Sequence, residues 1–305
     1  MTHFADRVAA LVDQRRSQIV LGLDPDPARL WQVAVGAEPS AGADAPERRR
    51  RVAQAVARHC RAAIGAAGPA CVAVKPQLAC FERLGADGLQ ALEDTVAAAH
   101  EHGLLVLADG KRGDVPVTAH AYGQALVGAT DTPWGQVTGL GADAFTANPL
   151  LGRDSLEPLL EAADAAGAGC FCLVRTSNPG AADVQDLRGP DGPVHESLAR
   201  IVAELGESRV GDCGLSSVGA VTGATRPEHL ERLRELMPRA IFLLPGVGAQ
   251  GGAVEDLAAA FRPHPAAGLV TASRSIVNAG EGDDAPAAAA TAAEKLREAA
   301  WALAC

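Results

Sequence analysis

The sequence concentrates its most chemically suggestive residues in one short run, ADGKRGDVPVT, which begins at Ala108 and follows an apolar segment. In an extended chain Asp109 and Lys111 are two residues apart, so their side chains point to the same side. Charged runs of this kind are usually solvated loops. At the carboxyl end of a barrel strand, however, catalytic residues are expected. We therefore predict that a carboxylate and an ammonium group face one pocket.

A second lysine, Lys75, stands directly after the apolar run CVAV. A single lysine at a strand end is usually a surface residue whose stem covers apolar atoms. Consecutive strands of a barrel are neighbours, so Lys75 would lie beside Asp109 and Lys111. The three groups would then form an alternating charge network that fixes the ionisation of each member.

Two further features are typical of phosphate binding. Residues 244–252 read LPGVGAQGG and match the dinucleotide pattern G-x-G-x-x-G. That pattern should follow a first strand and precede an acidic residue by about 20 positions, and it does neither here. What remains is a glycine-rich turn that would present backbone N–H groups at the start of a helix. Arg274 follows the eighth predicted strand, and barrels often bind phosphate after strands seven and eight.

The elements that must position these residues alternate along the chain. Short β-branched runs are separated by longer amphipathic stretches, which is typical of parallel strands joined by helices. Eight such units in 305 residues favour a single-domain (β/α)8 TIM barrel over an open doubly wound sheet, which the sequence alone leaves possible. The predicted strands are residues 19–24, 70–75, 104–109, 143–147, 170–175, 217–223, 240–244 and 268–272.

Three stretches rich in Gly, Pro, Ser or Asp interrupt this alternation, at 36–46, 130–141 and 176–190. We interpret the first as a surface insertion in a domain that spans residues 1–305. The third follows the fifth strand on the face where barrels place their active sites. Long loops at that position are often lids.

Bulk composition excludes several classes of protein. The net charge is −10 and basic residues do not cluster, so we predict neither a nucleic-acid partner nor membrane binding. The first residues do not read as a secretory signal, and apolar runs fall short of the roughly 20 residues needed to cross a bilayer. We therefore expect a cytoplasmic protein. Seven cysteines without a C-x-x-C pair suit reduced thiols in the core.

Taken together, the motifs resemble those of the orotidine 5′-phosphate decarboxylase family. The run DGKRGD followed by Thr118 is similar to that family's D-x-K-x-x-D signature. The segments GLDP, VKPQ, TSNPG, PGVGAQGG and SRS also fall in the family's order. The resemblance spans roughly residues 4 to 276, and the form DGKRGD is similar to the longer bacterial branch. It implies a homodimer that decarboxylates orotidine 5′-phosphate to uridine 5′-phosphate in de novo pyrimidine biosynthesis, without a cofactor or metal.

The resemblance also implies a role for individual residues. Lys111 would protonate the C6 carbanion left by departing carbon dioxide. Asp114 and Thr118 would reach the site from the partner subunit. The catalytic network would comprise Lys75, Asp109, Lys111 and Asp114. The substrate would be held by Asp24 and Lys75 at the ribose, Ser177 at the pyrimidine, and Gln250, Gly251 and Arg274 at the phosphate.

Three other interpretations stay open on the residues alone. One is a magnesium-dependent phosphosugar decarboxylase on the same barrel, with carboxylates near Asp109 holding the ion. Another is a Schiff-base aldolase that uses Lys111 or Lys75 as its nucleophile. The third is a barrel that binds phosphate compounds without catalysis.

Overall fold

Eight parallel strands close into one barrel in the computed structural model, which describes residues 3–36, 44–226, 228–248 and 251–304. Each strand pairs in parallel with its neighbours in chain order, and the first pairs with the last. The predicted (β/α)8 barrel is thus confirmed. The strands are β1 (Ile19–Leu23), β2 (Ala73–Pro76), β3 (Leu105–Arg112), β4 (Ala144–Ala147), β5 (Gly169–Arg175), β6 (Ser216–Thr222), β7 (Ala240–Pro245) and β8 (Gly268–Ala272).

The strands are buried on both faces, which explains their almost continuous apolar sequences. All five residues of β1, IVLGL, are buried. Successive residues belong to different core clusters: Val20 joins the cluster that contains Phe171 and Leu243, whereas Leu21 joins the cluster shared with the surrounding helices. The first cluster also includes Phe4, whose ring meets Phe171 edge-on at 6.0 Å. The amino-terminal helix therefore closes the end of the barrel opposite the carboxyl ends of the strands.

Helices follow the strands and cover the outside of the barrel. In the helix Gly85–Glu101, the 3.6-residue period predicts one buried face with Leu89, Leu92 and Val96; Leu92 and Val96 are buried, whereas Leu89 is 49% exposed. The α-helices are Phe4–Arg15, Gln32–Val35, Ala45–Ala67, Leu78–Glu82, Gly85–Glu101, Pro116–Leu126, Arg153–Ala166, Ala182–Gln185, Val194–Gly206, Glu228–Leu236, Arg274–Val277 and Ala285–Ala304. Short 3-10 helices occupy Gly68–Ala70, Pro149–Leu151, Pro179–Ala181, Val254–Phe261, Pro265–Ala267 and Gly282–Asp284.

The three stretches that interrupt the alternation of strands and helices differ in what the structure shows of them. The 130–141 stretch contains an antiparallel hairpin, Ala129–Thr132 with Gly135–Thr138, that the composition did not predict. The Thr132 hydroxyl closes its turn by donating to the Gly135 carbonyl at 2.6 Å. The 176–190 stretch contains a short helix, Ala182–Gln185, and lies against the barrel mouth. The insertion near 36–46 stays a prediction, because residues 37–43 lie outside the described part of the chain.

Six of the seven cysteines are described, and all six are free, as the sequence predicts; four are buried in the core, whereas Cys80 and Cys213 are half-buried. Burial raises the pKa of Cys60 and of Cys71 to about 12, so both thiols stay protonated at neutral pH. Among the described residues, no helix combines the length and the apolar character that crossing a bilayer requires.

Candidate active site

A cavity of about 630 Å³ opens at the carboxyl ends of the barrel strands. Residues from several strand ends line it, and the segment after β5 forms part of its wall. This is the face on which barrel enzymes carry their catalytic residues. Six of the predicted site residues line the cavity: Asp24, Lys75, Asp109, Lys111, Ser177 and Arg274.

At the floor of the cavity, a carboxylate lies between two ammonium groups. Lys111 Nζ donates to Asp109 Oδ1 at 2.6 Å, and Lys75 Nζ forms a close ion pair with Asp109 Oδ2. Asp109 and Lys75 are buried, whereas 41% of the Lys111 side chain remains exposed to the cavity side. The predicted alternating charge network is therefore present, with Asp109 as its centre.

Two neutral side chains that the sequence analysis missed complete the shell of Asp109. The Thr146 hydroxyl donates to Oδ1 at 2.9 Å, and Gln77 Nε2 lies 3.3 Å from Oδ2. Thr146 comes from β4, and Gln77 follows β2 directly. Gln77 could have been found by its position next to Lys75 in VKPQ. Thr146 carries no comparable signal in the sequence.

These contacts determine the charge of Asp109. Burial by itself raises the pKa of the carboxyl group, but the positive charges of Lys75 and Lys111 and their hydrogen bonds outweigh it and lower the pKa to about 2. Asp109 is therefore an anion at neutral pH. The floor of the cavity combines one fixed negative charge with two ammonium groups.

The backbone at Lys111 departs from the extended conformation assumed in the sequence analysis. Lys111 has φ +48°, in the left-handed region, and the pairing of β3 with β4 is interrupted between Ala108 and Arg112. The expectation that Lys111 and Asp109 face one pocket is confirmed, but the extended geometry behind it is wrong. A bulge, not strand alternation, brings the two side chains together.

The mouth of the cavity carries one carboxylate and one guanidinium. Asp24 follows β1, and Arg274 begins the short helix after β8; both are exposed. In the described part of the chain, Arg274 forms no ion pair, so its guanidinium keeps its hydrogen-bond donors available. A cation at this position suits an anionic group that enters from solvent.

The segment after β5 is fastened at its base and carries Ser177 to the cavity wall. Arg175 donates to both oxygens of Asp186 at 2.9 Å. Its neighbour Thr176 donates its backbone N–H to Gln185 at 2.8 Å. Gly223, at the end of β6, permits the close approach of Ser177, since a side chain there would meet the Ser177 backbone at 2.8 Å. The segment is thus held over the cavity from both ends.

The glycine-rich turn after β7 is organised differently from the prediction. The N–H groups of Gly248, Gly251 and Gly252 donate within the turn. Gly251 is exposed and is not among the residues that line the cavity, whereas Gly246 and Val247 are. Gln250 lies outside the described residues. The helix predicted after the turn is a 3-10 helix, Val254–Phe261.

Asp114 and Thr118 do not line the cavity of their own chain. The Asp114 side chain accepts the N–H of Val115 at 2.8 Å. The surface beside it is apolar, because Val115 is 54% exposed and Val117 is 86% exposed. Across the described ranges, no group of three or more His, Cys, Asp or Glu side chains lies close enough to share a metal ion.

Fold and site together define a (β/α)8-barrel enzyme whose cavity is built around a lysine–aspartate–lysine cluster, in which Lys75 and Asp109 are buried and Lys111 is exposed. The family model described as "Orotidine 5'-phosphate decarboxylase / HUMPS family" matches residues 17–292. The chain belongs to this family.

Individual relatives agree with the family match. A protein of Rhodopirellula baltica named orotidine 5′-phosphate decarboxylase is 41% identical over 91% of this chain and 89% of its own. One of the same name from Natronomonas pharaonis is 42% identical over 97% of each chain. A solved structure described as a putative orotidine 5′-phosphate decarboxylase from Streptomyces avermitilis superposes with a TM-score of 0.77 at 32% identity, covering 100% of this chain and 96% of that one.

Proposed function

We propose that this protein decarboxylates orotidine 5′-phosphate to uridine 5′-phosphate and carbon dioxide in pyrimidine biosynthesis. The observation that carries the proposal is the contact of the buried Asp109 carboxylate with the ammonium groups of Lys75 and Lys111 at the floor of a cavity of about 630 Å³. The family and the relatives named above support the same reaction.

In the proposed reaction, the bond between C6 of the pyrimidine and its carboxylate breaks, and carbon dioxide leaves. The electron pair stays on C6, where the ring cannot readily delocalise it. The Lys111 ammonium stabilises this carbanion and then transfers a proton to it, after which solvent reprotonates the amine. Asp109 lies near the substrate carboxylate and disfavours the ground state relative to the transition state. Enzymes lower barriers by roughly 8 to 23 kcal/mol, and this reaction needs the upper part of that range.

Substrate binding is proposed to divide along the cavity. Arg274 at the mouth holds the phosphate by bidentate hydrogen bonds. The family resemblance adds Gln250, which lies outside the described residues, and Gly251, whose N–H would have to leave the Gly248 carbonyl to reach a phosphate. Asp24 and Lys75 hold the ribose hydroxyls, and Ser177 on the fastened segment contacts the pyrimidine. Phosphate binding far from the reacting carbon supplies free energy for positioning.

We also propose that the chain acts as a homodimer in which Asp114 and Thr118 complete the partner's site. In support, both residues lie outside their own cavity, next to the exposed Val115 and Val117. Mixing the inactive variants Lys111→Ala and Asp114→Ala under subunit exchange should restore activity, because one site of each mixed dimer is intact. About half the dimers are mixed, so about a quarter of all sites should recover. A mixture as inactive as its parents, with exchange verified, would assign Asp114 to its own chain's site.

The reaction itself is tested by following the loss of orotidine 5′-phosphate absorbance in the presence of a metal chelator. We expect turnover to persist at the untreated rate. Loss of activity in chelator that returns with Mg²⁺ would favour the metal-dependent alternative. Trapping of a substrate adduct with borohydride would favour the Schiff-base alternative. Binding of the nucleotide without release of carbon dioxide would identify a barrel without catalysis.

A further inference from the structure

Thr146 is hydrogen-bonded to both Asp109 and Lys111, the two charged residues near the end of β3 that form the floor of the cavity. Its side chain is buried, at 1% exposure, and belongs to β4. Its hydroxyl accepts the backbone N–H of Lys111 at 2.9 Å and donates its own hydrogen to Asp109 Oδ1 at 2.9 Å. A hydroxyl has one donor hydrogen and two acceptor lone pairs, so both bonds form at once.

The first bond replaces a missing contact in the sheet. Pairing between β3 and β4 is interrupted from Ala108 to Arg112, so the Lys111 N–H has no ladder carbonyl to meet. Lys111 also has φ +48°, a conformation that is unfavourable for a residue with a Cβ atom. Such a conformation persists only where surrounding contacts enforce it. The Thr146 hydroxyl is one of these contacts.

The second bond acts on the partner of the lysine ammonium. Asp109 Oδ1 accepts from the Lys111 ammonium at 2.6 Å as well as from Thr146. The hydroxyl therefore fixes Lys111 at its backbone and, through Asp109, at the end of its side chain. No other described side chain is hydrogen-bonded to both residues.

We propose that Thr146 is a positioning residue for the decarboxylation. It holds the Lys111 ammonium at the position from which the ammonium protonates the substrate carbon. The inference rests on the proposed function of Lys111. It assigns Thr146 an effect on the chemical step and little effect on substrate binding, because the hydroxyl is already engaged by the protein.

The test compares Thr146→Val, which keeps the shape and removes the hydroxyl, with Thr146→Ser, which keeps the hydroxyl. Misplacement of a reacting group by about 1 Å costs roughly 100-fold in rate, so Thr146→Val should lower kcat by about 10- to 100-fold with KM nearly unchanged. Thr146→Ser should stay within about 3-fold of the wild type. Thr146→Ala serves as the second hydroxyl-free variant if the valine variant folds poorly, and should lose as much in kcat.

Thr222→Val is the matched control. Thr222 is a buried threonine at the end of β6, its hydroxyl has no partner among the described residues, and it does not line the cavity. Its valine variant should keep wild-type kcat. Thermal midpoints of the two valine variants, measured together, show whether any rate loss reflects unfolding.

Several results would overturn the proposal. One is a kcat for Thr146→Val equal to that of Thr222→Val; another is a loss confined to KM, which would place Thr146 in substrate binding. A third is a crystal structure of Thr146→Val in which the φ of Lys111 and its contact with Asp109 are unchanged although kcat has fallen. Failure of the proposed function can be distinguished from failure of this inference. If the proposed function is wrong, the wild type releases no carbon dioxide. The crystal structure of Thr146→Val would still test whether Thr146 positions Lys111.

Discussion

The two ends of the barrel stabilise positive charge in opposite ways. At the carboxyl end, Lys75 and Lys111 share one carboxylate, Asp109. At the amino end, the buried guanidinium of Arg234 has no carboxylate partner among the described residues and donates to backbone carbonyls instead. The guanidinium carbon of Arg234 lies 3.8 Å from the centre of the Phe242 ring. The carbonyls belong to Met237 and Ala240 at 3.0 and 2.7 Å, and to Ala260 and Ala267 at 2.9 and 3.1 Å.

The difference separates a cation that serves the fold from one that is available for chemistry. Burial lowers the pKa of Arg234 to about 9, and its four hydrogen bonds join segments that are distant in sequence. Its terminal nitrogens are engaged by the chain itself. Lys111, by contrast, bonds to Asp109 through one of three possible donors and keeps 41% of its side chain exposed. A substrate can therefore meet the lysine but not the arginine.

The largest expected effect concerns the carboxyl end. Lys111→Ala should lower kcat by roughly 10³-fold or more, because the ammonium acts as proton donor and as counter-charge to the carbanion. Binding of uridine 5′-phosphate should remain within about 10-fold, since these roles arise mainly in the transition state. Steady-state kinetics and calorimetric titration measure the two quantities. Decarboxylation near the wild-type rate would refute the assignment of the proton donor.

The amino end should respond in the opposite manner. Arg234→Met should lower the free energy of unfolding by about 3–5 kcal/mol, because four buried carbonyls lose a charged donor, and leave kcat nearly unchanged. Arg232→Met, on the same helix, is the control. Arg232 pairs with Glu196 and Glu235 on the surface, and such pairs contribute up to about 1 kcal/mol. Urea unfolding of both variants makes the comparison, and equal losses would show that Arg234 has no special structural role.

The sequence predicted the barrel because its signals are local. Each strand is a short apolar run bounded by turn residues, and the charged residues Lys75 and Asp109 stand where such runs end. Ends of parallel strands meet at one edge, so the contact between Lys75 and Asp109 could be predicted from strand order alone, whereas the extended geometry assumed for Lys111 was wrong. The position after the eighth strand added Arg274, and the family resemblance gave roles to Asp24 and Ser177; all three line the same cavity.

Other features depend on contacts between distant segments and could not be predicted in this way. The sequence ERLREL does not distinguish the exposed Arg232 from the buried Arg234, since the difference lies in the carbonyls that surround the second guanidinium. Thr146 looks like any β-branched strand residue until the bulge at Lys111 brings an unpaired N–H to it. The glycine-rich turn was expected to present free N–H groups, but three of them close the turn itself.

A smaller effect on activity is expected for Arg274, the cation at the mouth of the cavity, than for Lys111 at its floor. Arg274→Ala should lower kcat/KM for orotidine 5′-phosphate by about 10- to 100-fold, through loss of bidentate hydrogen bonds to the phosphate. The unphosphorylated nucleoside should be almost unaffected. Arg29→Ala is the control, because both arginines border a neighbouring cavity of about 340 Å³ but Arg29 does not line the large one. Equal losses of kcat/KM with both substrates would show that Arg274 does not bind the phosphate.

The smallest expected effect is the stability that the floor of the cavity derives from its charges. The pKa of Asp109 falls from 3.8 to about 2 on folding, against the effect of burial, because Lys75 and Lys111 favour the ionised form. A depressed pKa means that the folded state binds the proton more weakly than the unfolded chain does. The contribution is therefore fully present above about pH 4 and is lost as the pH falls toward 2; at 1.36 kcal/mol per pKa unit it amounts to about 2 kcal/mol.

Other carboxylates titrate in the same window, so the measurement must be a difference. Asp109→Asn removes this titration while the remaining acidic residues stay in place. The free energy of unfolding of the wild type should exceed that of the variant by about 2 kcal/mol more at pH 5 than at pH 2, as measured by urea unfolding across that range. A difference independent of pH would mean that folding leaves the Asp109 pKa near 3.8 and that the two lysines do not lower it. Asp109 would still be ionised at neutral pH, but its contacts with Lys75 and Lys111 would contribute no measurable stability to the carboxyl end of the barrel.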